Sequence, residues 1–106
     1  VKGLKTIEFS DTLIEIGKGA FSLCDELESL NFNNCNLLKT INSYCFYRCS
    51  SLREANFAEC SNLEILYNNA FSNCTNLENV YLYSASIEIL SDVFYACPNY
   101  NIIYTI

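Results

Sequence analysis

Apolar residues separated by two polar positions recur along the chain and set the pattern of its expected elements. The repeated phrase is a small residue, two residues, an apolar residue, two residues and a second apolar residue. It occurs as Cys24-x2-Leu27-x2-Leu30, Cys49-x2-Leu52-x2-Ala55 and Cys74-x2-Leu77-x2-Val80, and we place the last copies at Ser84-x2-Ile87-x2-Leu90 and Cys97-x2-Tyr100-x2-Ile103. Turn-forming Asn, Ser, Asp and Thr bound these pairs, which predicts short strands of three to five residues.

Two kinds of this phrase alternate along the chain. One kind continues into an apolar residue two positions later, at Phe9, Phe32, Phe57 and Leu82. The other runs into a small residue and an aromatic, at Ala20-Phe21, Cys45-Phe46, Ala70-Phe71 and Val93-Phe94. The phenylalanine positions 21, 46, 71 and 94 give a unit of 23 to 25 residues. Self-similarity of that length indicates a solenoid, here with four-plus repeats, because stacked coils bury equivalent residues against one another.

The segment from Gly19 to Cys24 is the place where a helical element is expected. Phe21 and Cys24 are three residues apart, which puts both on one side of a helical or 3₁₀ turn. We therefore expect an α/β solenoid, rich in β structure, with a parallel sheet on one face and short strands and helical turns on the other. We expect residues 1–106 to form a single domain and to be a piece of a longer protein, because Val1 opens the chain and no capping unit is recognisable.

The seven cysteines mark the repeat more clearly than they suggest chemistry. Six of them begin the repeated phrase, and Cys45 occupies the row of small apolar residues held elsewhere by Ala20, Ala70 and Val93. We expect all seven to be buried free thiols, since equivalent side chains point in the same direction. Asn73-Cys74-Thr75 matches the N-glycosylation sequon, but its middle residue belongs to the buried row, so the sequence favours an unmodified Asn73.

Composition and charge exclude several classes of function. Twelve acidic and six basic residues give a net charge of −6, which disfavours binding to nucleic acid. No apolar stretch is long enough to span a membrane, so we expect no direct membrane insertion. The chain has no histidine, the commonest general base and a frequent zinc ligand. We expect no enzymatic activity, no catalytic residues, no metal and no cofactor.

The polar positions between the buried rows supply a candidate protein-binding face. One outward row is Thr6, Ser29, Glu54 and Asn79, continued by Ile102, and a second is Glu8, Asn31, Asn56, Tyr81 and Tyr104. A charge ladder of alternating sign, Lys5, Glu28, Arg53 and Glu78, lies beside them. Tyrosine is favoured at interfaces. Ordinary polar surface explains these rows as well as a specific site does.

The repeating residues resemble the BspA-like leucine-rich repeats, whose unit carries a characteristic Ala-Phe-x-x-Cys. The best match is Leu4-Lys5-Thr6-Ile7-Glu8-Phe9 followed by Leu13-Ile14-Glu15-Ile16-Gly17-Lys18-Gly19-Ala20-Phe21-Ser22-Leu23-Cys24. The resemblance implies a leucine-rich-repeat solenoid acting as a cell-surface or secreted adhesion module that binds a host or matrix protein. An intracellular, cytoplasmic scaffold or adaptor is the alternative, which unpaired cysteines favour. The phrase from Leu27 to Cys35 also fits the cysteine-containing repeats of F-box proteins, although the recurring Ala-Phe-x-x-Cys argues against them.

Overall fold

Short parallel strands alternate between two sheets in the computed structural model, which describes Gly3 and residues 5–106. The strands are β1 (Thr6–Glu8), β2 (Glu15–Ile16), β3 (Ser29–Asn31), β4 (Thr40–Ile41), β5 (Glu54–Phe57), β6 (Ile65–Leu66), β7 (Asn79–Leu82), β8 (Glu88–Ile89) and β9 (Asn101–Tyr104). One sheet has the order β1-β3-β5-β7-β9 and the other the order β2-β4-β6-β8. Leu4, which begins the best-matching unit, lies outside the described residues.

Each strand pairs in parallel with the strand two places further along the chain, so one full coil separates paired residues. Leu30 pairs with Ala55 and Ala55 with Val80 in the five-stranded sheet, while Ile16 pairs with Ile41 in the four-stranded sheet. These pairs are one sequence repeat apart, as the phenylalanine spacing predicts. The described residues therefore form a β-solenoid of about four turns with a repeat of about 25 residues.

The core consists of rows of equivalent side chains stacked from coil to coil. Phe9, Phe32 and Phe57 form one row, with ring centroids 4.2 and 4.5 Å apart. Phe21, Phe46, Phe71 and Phe94 form a second row with spacings of 5.6, 5.2 and 5.9 Å. Fully burying one such side chain contributes about 1.5–3 kcal/mol. Because each ring is covered by its counterparts in neighbouring coils, the repeat itself supplies the packing partners.

The expected helical turns are absent, and the α/β class is wrong, because every regular element that the structure describes is a β-strand. The segment from Gly17 to Cys24 is a series of overlapping turns instead. From residue 19 to 24 the even-numbered amides donate locally, as Ala20 N does to Gly17 O at 3.2 Å. The odd-numbered amides of the same stretch donate to the next coil, as Phe21 N does to Cys45 O at 2.8 Å. Consecutive amides in the interior of a helix all donate within the helix, so this alternation of local and coil-to-coil bonds is not helical.

Two residues in each coil's turn segment have left-handed backbone conformation, four positions apart. The pairs with positive φ are Gly19 and Leu23, Tyr44 and Arg48, Asn69 and Asn73, and Asp92 and Ala96. Gly19 and Leu23 each precede a residue whose amide donates three positions back, so each is the third residue of a turn. A positive φ at that position is the mark of a type II turn. Asn and Gly tolerate this conformation well, whereas Leu23 and Tyr44 are held in it by the coil-to-coil bonds.

The last coil is shorter than the others, and its register differs from the one expected. Ile89, and not Leu90, pairs with Leu66 in the four-stranded sheet. Ile102, and not Ile103, pairs with Val80 in the five-stranded sheet. Each change corresponds to one residue missing from the loop before the strand. A one-residue slip reverses every side chain, so Tyr104 takes the inner position that the expected register would give to the polar Thr105.

Candidate binding face and the buried thiol rows

The outer face of the five-stranded sheet brings together most of the predicted binding residues. Backbone pairing places Thr6 beside Ser29, Ser29 beside Glu54, and Glu54 beside Asn79. The second row is paired in the same way through Glu8, Asn31, Asn56 and Tyr81. Both predicted rows are therefore continuous across four strands. They alternate with the buried residues of the core because side chains on a strand point to opposite faces.

The last strand departs from the predicted rows. Tyr104 pairs with Leu82 and so continues the row of Phe9, Phe32 and Phe57, although 45% of Tyr104 is exposed at the end of the stack. Ile102 pairs with Val80 and is partly buried. The residues that continue the outward rows are Asn101 and Ile103, which the repeat pattern did not predict. The spacing of 23 residues between Phe71 and Phe94 was the signal that this coil is shortened.

Two asparagines of the candidate face also hold the turns that follow their strands. The Oδ1 of Asn31 accepts a hydrogen bond from the backbone N–H of Asn33 at 2.9 Å. The Oδ1 of Asn56 accepts one from Ala58 N at 3.0 Å. Asparagine commonly bonds the amide two residues on in this way. The side chains of Asn31 and Asn56 therefore stabilise the turns after their strands. Glu8, Glu54 and Tyr81 are the side chains of this face that are more available to contact a partner.

The charge ladder lies at the edge of the candidate face in the predicted order. The backbone N–H of Glu28 donates to Lys5 O, that of Arg53 to Glu28 O, and that of Glu78 to Arg53 O, at 2.8, 2.9 and 2.9 Å. Arg53 Nη2 also lies 2.9 Å from Glu78 Oε2, and the two side chains are 65% and 51% exposed. An exposed pair of this kind contributes at most about 1 kcal/mol. Its effect is mainly to favour one register of the coils.

The surface near this ladder has shallow polar grooves. One groove is lined by Glu28, Ser51, Arg53, Asn76 and Glu78, and a second by Glu8, Phe9, Asp11, Asn31, Asn33 and Asn34. Within the described part of the chain, no three His, Cys, Asp or Glu residues are grouped so that they could hold a metal ion. The grooves present hydrogen-bonding groups over an open surface, which suits contact with another macromolecule better than enclosure of a small molecule.

All seven cysteines are buried and none forms a disulfide, as predicted. Five of them donate hydrogen bonds to a phenylalanine carbonyl oxygen in the preceding coil. The three shortest bonds are Cys49 Sγ to Phe21 O at 3.2 Å, Cys74 Sγ to Phe46 O at 3.1 Å and Cys97 Sγ to Phe71 O at 3.1 Å. The same carbonyls accept weaker local bonds at 3.4, 3.4 and 3.3 Å from the amides of Cys24, Cys49 and Cys74. The cysteine row thus joins successive coils in addition to filling space.

The pKa is raised for five of these thiols, whereas a hydrogen bond with Cys74 lowers the pKa of the Cys97 thiol. Burial raises the pKa of the Cys45, Cys49 and Cys60 thiols to about 12. A hydrogen bond with the Cys97 thiol, together with burial, raises the pKa of Cys74. The thiolate is the nucleophile and the metal ligand, so raised pKa values and burial make the thiols of Cys45, Cys49, Cys60 and Cys74 unreactive. Their arrangement performs a structural task.

The fold defines a class of protein, a parallel β-solenoid whose coils present one regular outer face. The chain belongs to the BspA-type leucine-rich repeat family, whose model matches residues 1–105 in six copies. No curated protein and no solved structure matches the chain. Leucine-rich repeats generally mediate protein interactions, and BspA-like members are often found at the surface or secreted. Among the described residues, no helix has the length and apolar character needed to cross a membrane.

Proposed function

We propose that this chain is a non-enzymatic protein-interaction module of a cell-surface or secreted BspA-like protein, with residues 1–106 forming a single repeat domain. It binds a protein ligand, such as a host or matrix protein, through the outer face of the five-stranded sheet. The observation that carries the proposal is the in-register pair of outward rows across β1, β3, β5 and β7. Concave or flat solenoid faces of this kind are the surfaces that repeat proteins use for binding.

The longer strands of the five-stranded sheet favour this face as the binding surface over the rest of the surface. The strands β5, β7 and β9 have four residues each, whereas β2, β4, β6 and β8 have two. Longer strands hold more neighbouring side chains in a fixed geometry, which lowers the entropy lost on binding. Tyr81 and Ile103 add apolar contact area beside Asn56 and Asn79. The face therefore combines rigid positions with the mixture of aromatic and polar groups found at interfaces.

Charge indicates the kind of protein that fits this face. Glu8 and Glu54 lie on the face, and Glu28 and Glu78 lie along its edge, against Lys5 and Arg53. The whole chain has a net charge of −6. We infer that the partner presents a basic patch, because complementary charge speeds association and excludes acidic partners. Such binding weakens as salt increases.

A matched pair of charge reversals tests the proposal. The chain is used to capture proteins from an extracellular matrix or host-surface extract and from cytosol, and the affinity of an identified partner is then measured. Glu54→Lys alters the candidate face, and Glu88→Lys makes the same change at an exposed position of the four-stranded sheet. We expect Glu54→Lys to weaken binding about tenfold, or about 1.4 kcal/mol, and Glu88→Lys to leave it within about twofold. Equal losses, or capture of cytosolic proteins alone, contradict the proposal.

A cytoplasmic scaffold or adaptor is the second candidate, and it is favoured by seven cysteines that form no disulfide. Small secreted domains usually oxidise their cysteines, whereas the cytosol keeps thiols reduced. In this chain each thiol is enclosed by its own stack, which explains a reduced state in either compartment. Localisation of the native protein separates the two candidates. Recovery from the surface or medium supports the first, and exclusive recovery from cytosol supports the second.

A further inference from the structure

The sequon Asn73-Cys74-Thr75 has a different geometry from the one its buried middle residue suggests. Cys74 is fully buried and points into the core. Asn73 and Thr75, on either side of it, line a surface groove together with Arg48 and Ser50. Burial of the middle residue therefore turns its two neighbours outward. The two residues that define the sequon lie on the accessible side of the coil, with Thr75 exposed and Asn73 half-buried, so burial of Cys74 does not by itself shield Asn73 from modification.

The backbone fixes Asn73 at a position that tolerates a large substituent. Asn73 has a φ of 61°, and its N–H donates to Tyr95 O at 2.7 Å. Leu23, Arg48 and Ala96 occupy the equivalent left-handed positions of the other coils, and all three are exposed. The next coil places only the methyl group of Ala96 at this position. A substituent on Asn73 can thus extend into solvent without displacing a core residue.

The side-chain amide of Asn73 differs from those of several other asparagines in having no structural task. Asn69 Nδ2 donates to Ser72 Oγ at 2.9 Å, and Asn76 Nδ2 donates to Ser50 O at 2.7 Å. Asn42 Nδ2 donates to Ile16 O at 2.8 Å. For the Asn73 side chain the structure records no hydrogen bond within the described part of the chain. Substituting its nitrogen therefore breaks no bond of the fold.

We propose that Asn73 is an N-glycosylation site, an inference that rests on the secreted or cell-surface location in the proposed function. The donor is an oligosaccharide linked to a lipid diphosphate. A bond forms between Asn73 Nδ2 and the anomeric carbon of the first sugar, and the bond from that carbon to the diphosphate oxygen breaks. Nδ2 loses one proton and the lipid diphosphate leaves. The Thr75 hydroxyl completes the motif that the transferring enzyme recognises.

The experiment supplies a signal peptide and secretes this chain from cultured eukaryotic cells, so that it does not depend on the native location. We expect the secreted chain to migrate as a heavier species that peptide-N-glycosidase converts to the unmodified mass, with the modification mapped to Asn73 by mass spectrometry. Thr75→Ala abolishes the shift while keeping Asn73, and Thr75→Ser preserves it. Both changes are at an exposed residue, and circular dichroism with thermal melting checks that the two variants fold alike.

A second variant tests whether the position, and not only the motif, is suitable. Arg48-Cys49-Ser50 occupies the equivalent place one coil earlier, with a φ of 56° at Arg48. We expect Arg48→Asn, introduced together with Thr75→Ala, to restore the shift. An unmodified secreted wild-type chain overturns the inference, as does a shift that survives Thr75→Ala alone. If the recombinant chain is glycosylated but the native protein is found exclusively in cytosol, the proposed location fails while the acceptor site stands.

Discussion

The thiol of Cys74 lies 3.1 Å from the backbone carbonyl oxygen of Phe46, to which it donates a hydrogen bond across the boundary between two coils. Cys97 makes the same contact with Phe71, and Cys49 with Phe21. Alanine or valine at these positions fills part of the space but offers no donor. The recurrence of cysteine therefore follows from two requirements at one site, a small apolar volume and a weak hydrogen-bond donor.

Replacing Cys74 by alanine tests this dual role. Cys74→Ala removes the bond to Phe46 O and leaves a small void in a fully buried row. We expect the free energy of unfolding to fall by about 1–3 kcal/mol, measured by urea denaturation. Thr75→Ala, at the exposed neighbouring position, is the control and changes it by no more than about 0.5 kcal/mol. Similar effects of the two substitutions contradict a structural role for the thiol.

Accessibility of the thiols provides an independent check of the fold. All seven cysteines are buried and none forms a disulfide. We expect a thiol reagent to label almost none of them in the native chain over minutes, because the reagent needs the thiolate and physical access. After denaturation without reductant, labelling rises to nearly seven equivalents. A deficit of two or more after denaturation indicates a disulfide and contradicts the described arrangement.

Alkaline pH destabilises the fold through the same thiols. Burial raises the pKa of Cys45, Cys49 and Cys60 to about 12 in the folded chain. An unfolded thiol ionises near pH 8.5, so above that pH the unfolded state binds fewer protons than the native state. The free energy of unfolding therefore keeps the full contribution of these thiols below about pH 8.5. Between pH 8.5 and 12 it falls by about 1.4 kcal/mol per pH unit for each such thiol.

The variant Cys45→Ala isolates one of these contributions. Cys45 lies in a row that holds alanine in another coil, at Ala70, so the fold accepts the change. We expect the slope of unfolding free energy against pH, measured in urea between pH 9 and 10.5, to become less steep by about 1.4 kcal/mol per pH unit. Tyrosine and lysine titrations are common to both proteins and cancel in the difference. An unchanged slope contradicts ionisation-linked burial at this residue.

Substituting two neighbouring glycines by alanine distinguishes the effect of backbone strain on stability from the effect of side-chain packing. Gly19 has a φ of 64°, whereas Gly17 lies outside the left-handed region, and neither has an atom within 4 Å of the place where a Cβ would be added. We expect Gly19→Ala to lower the free energy of unfolding by about 1–2 kcal/mol, because an L side chain strains this conformation. Gly17→Ala instead leaves it unchanged or raises it by about 0.4–1 kcal/mol. Thermal melts of both variants measure the difference, and destabilisation by Gly17→Ala alone reverses the argument.

The fold could be predicted from sequence wherever one residue type repeats at one spacing. The stacked phenylalanines, the buried cysteines and the place of Cys45 beside Ala70 all follow from that periodicity. The turn segment from Gly17 to Cys24 could not be predicted, because Phe-x-x-Cys fits a helical turn locally. Alternate amides there bond the next coil, and a local pattern carries no information about a partner that is one repeat away.

The residues of the candidate face were predicted correctly for β1, β3, β5 and β7 and wrongly for β9. Glu54, Asn79 and Tyr81 lie in the expected rows, since the 25-residue step is unbroken there. Tyr104 was assigned to the outward row of Tyr81 from the regular spacing of the repeated phrase. The loop before β9 is one residue shorter than that spacing requires, so the assignment is wrong. The observed register puts Ile102 and Tyr104 on the inner face, where the predicted register would put Ile103 and the polar Thr105.

The sequence by itself determined that this chain stacks coils of about 25 residues. Equivalent apolar side chains recur at that spacing, and they become buried when they pack on their counterparts in the neighbouring coils. Only the tertiary structure decided how the backbone closes each coil, where the last strand pairs, and that Asn73 and Thr75 face outward around a buried Cys74. Those features depend on hydrogen bonds between residues a full repeat apart, and such bonds exist only after the coils have been brought together.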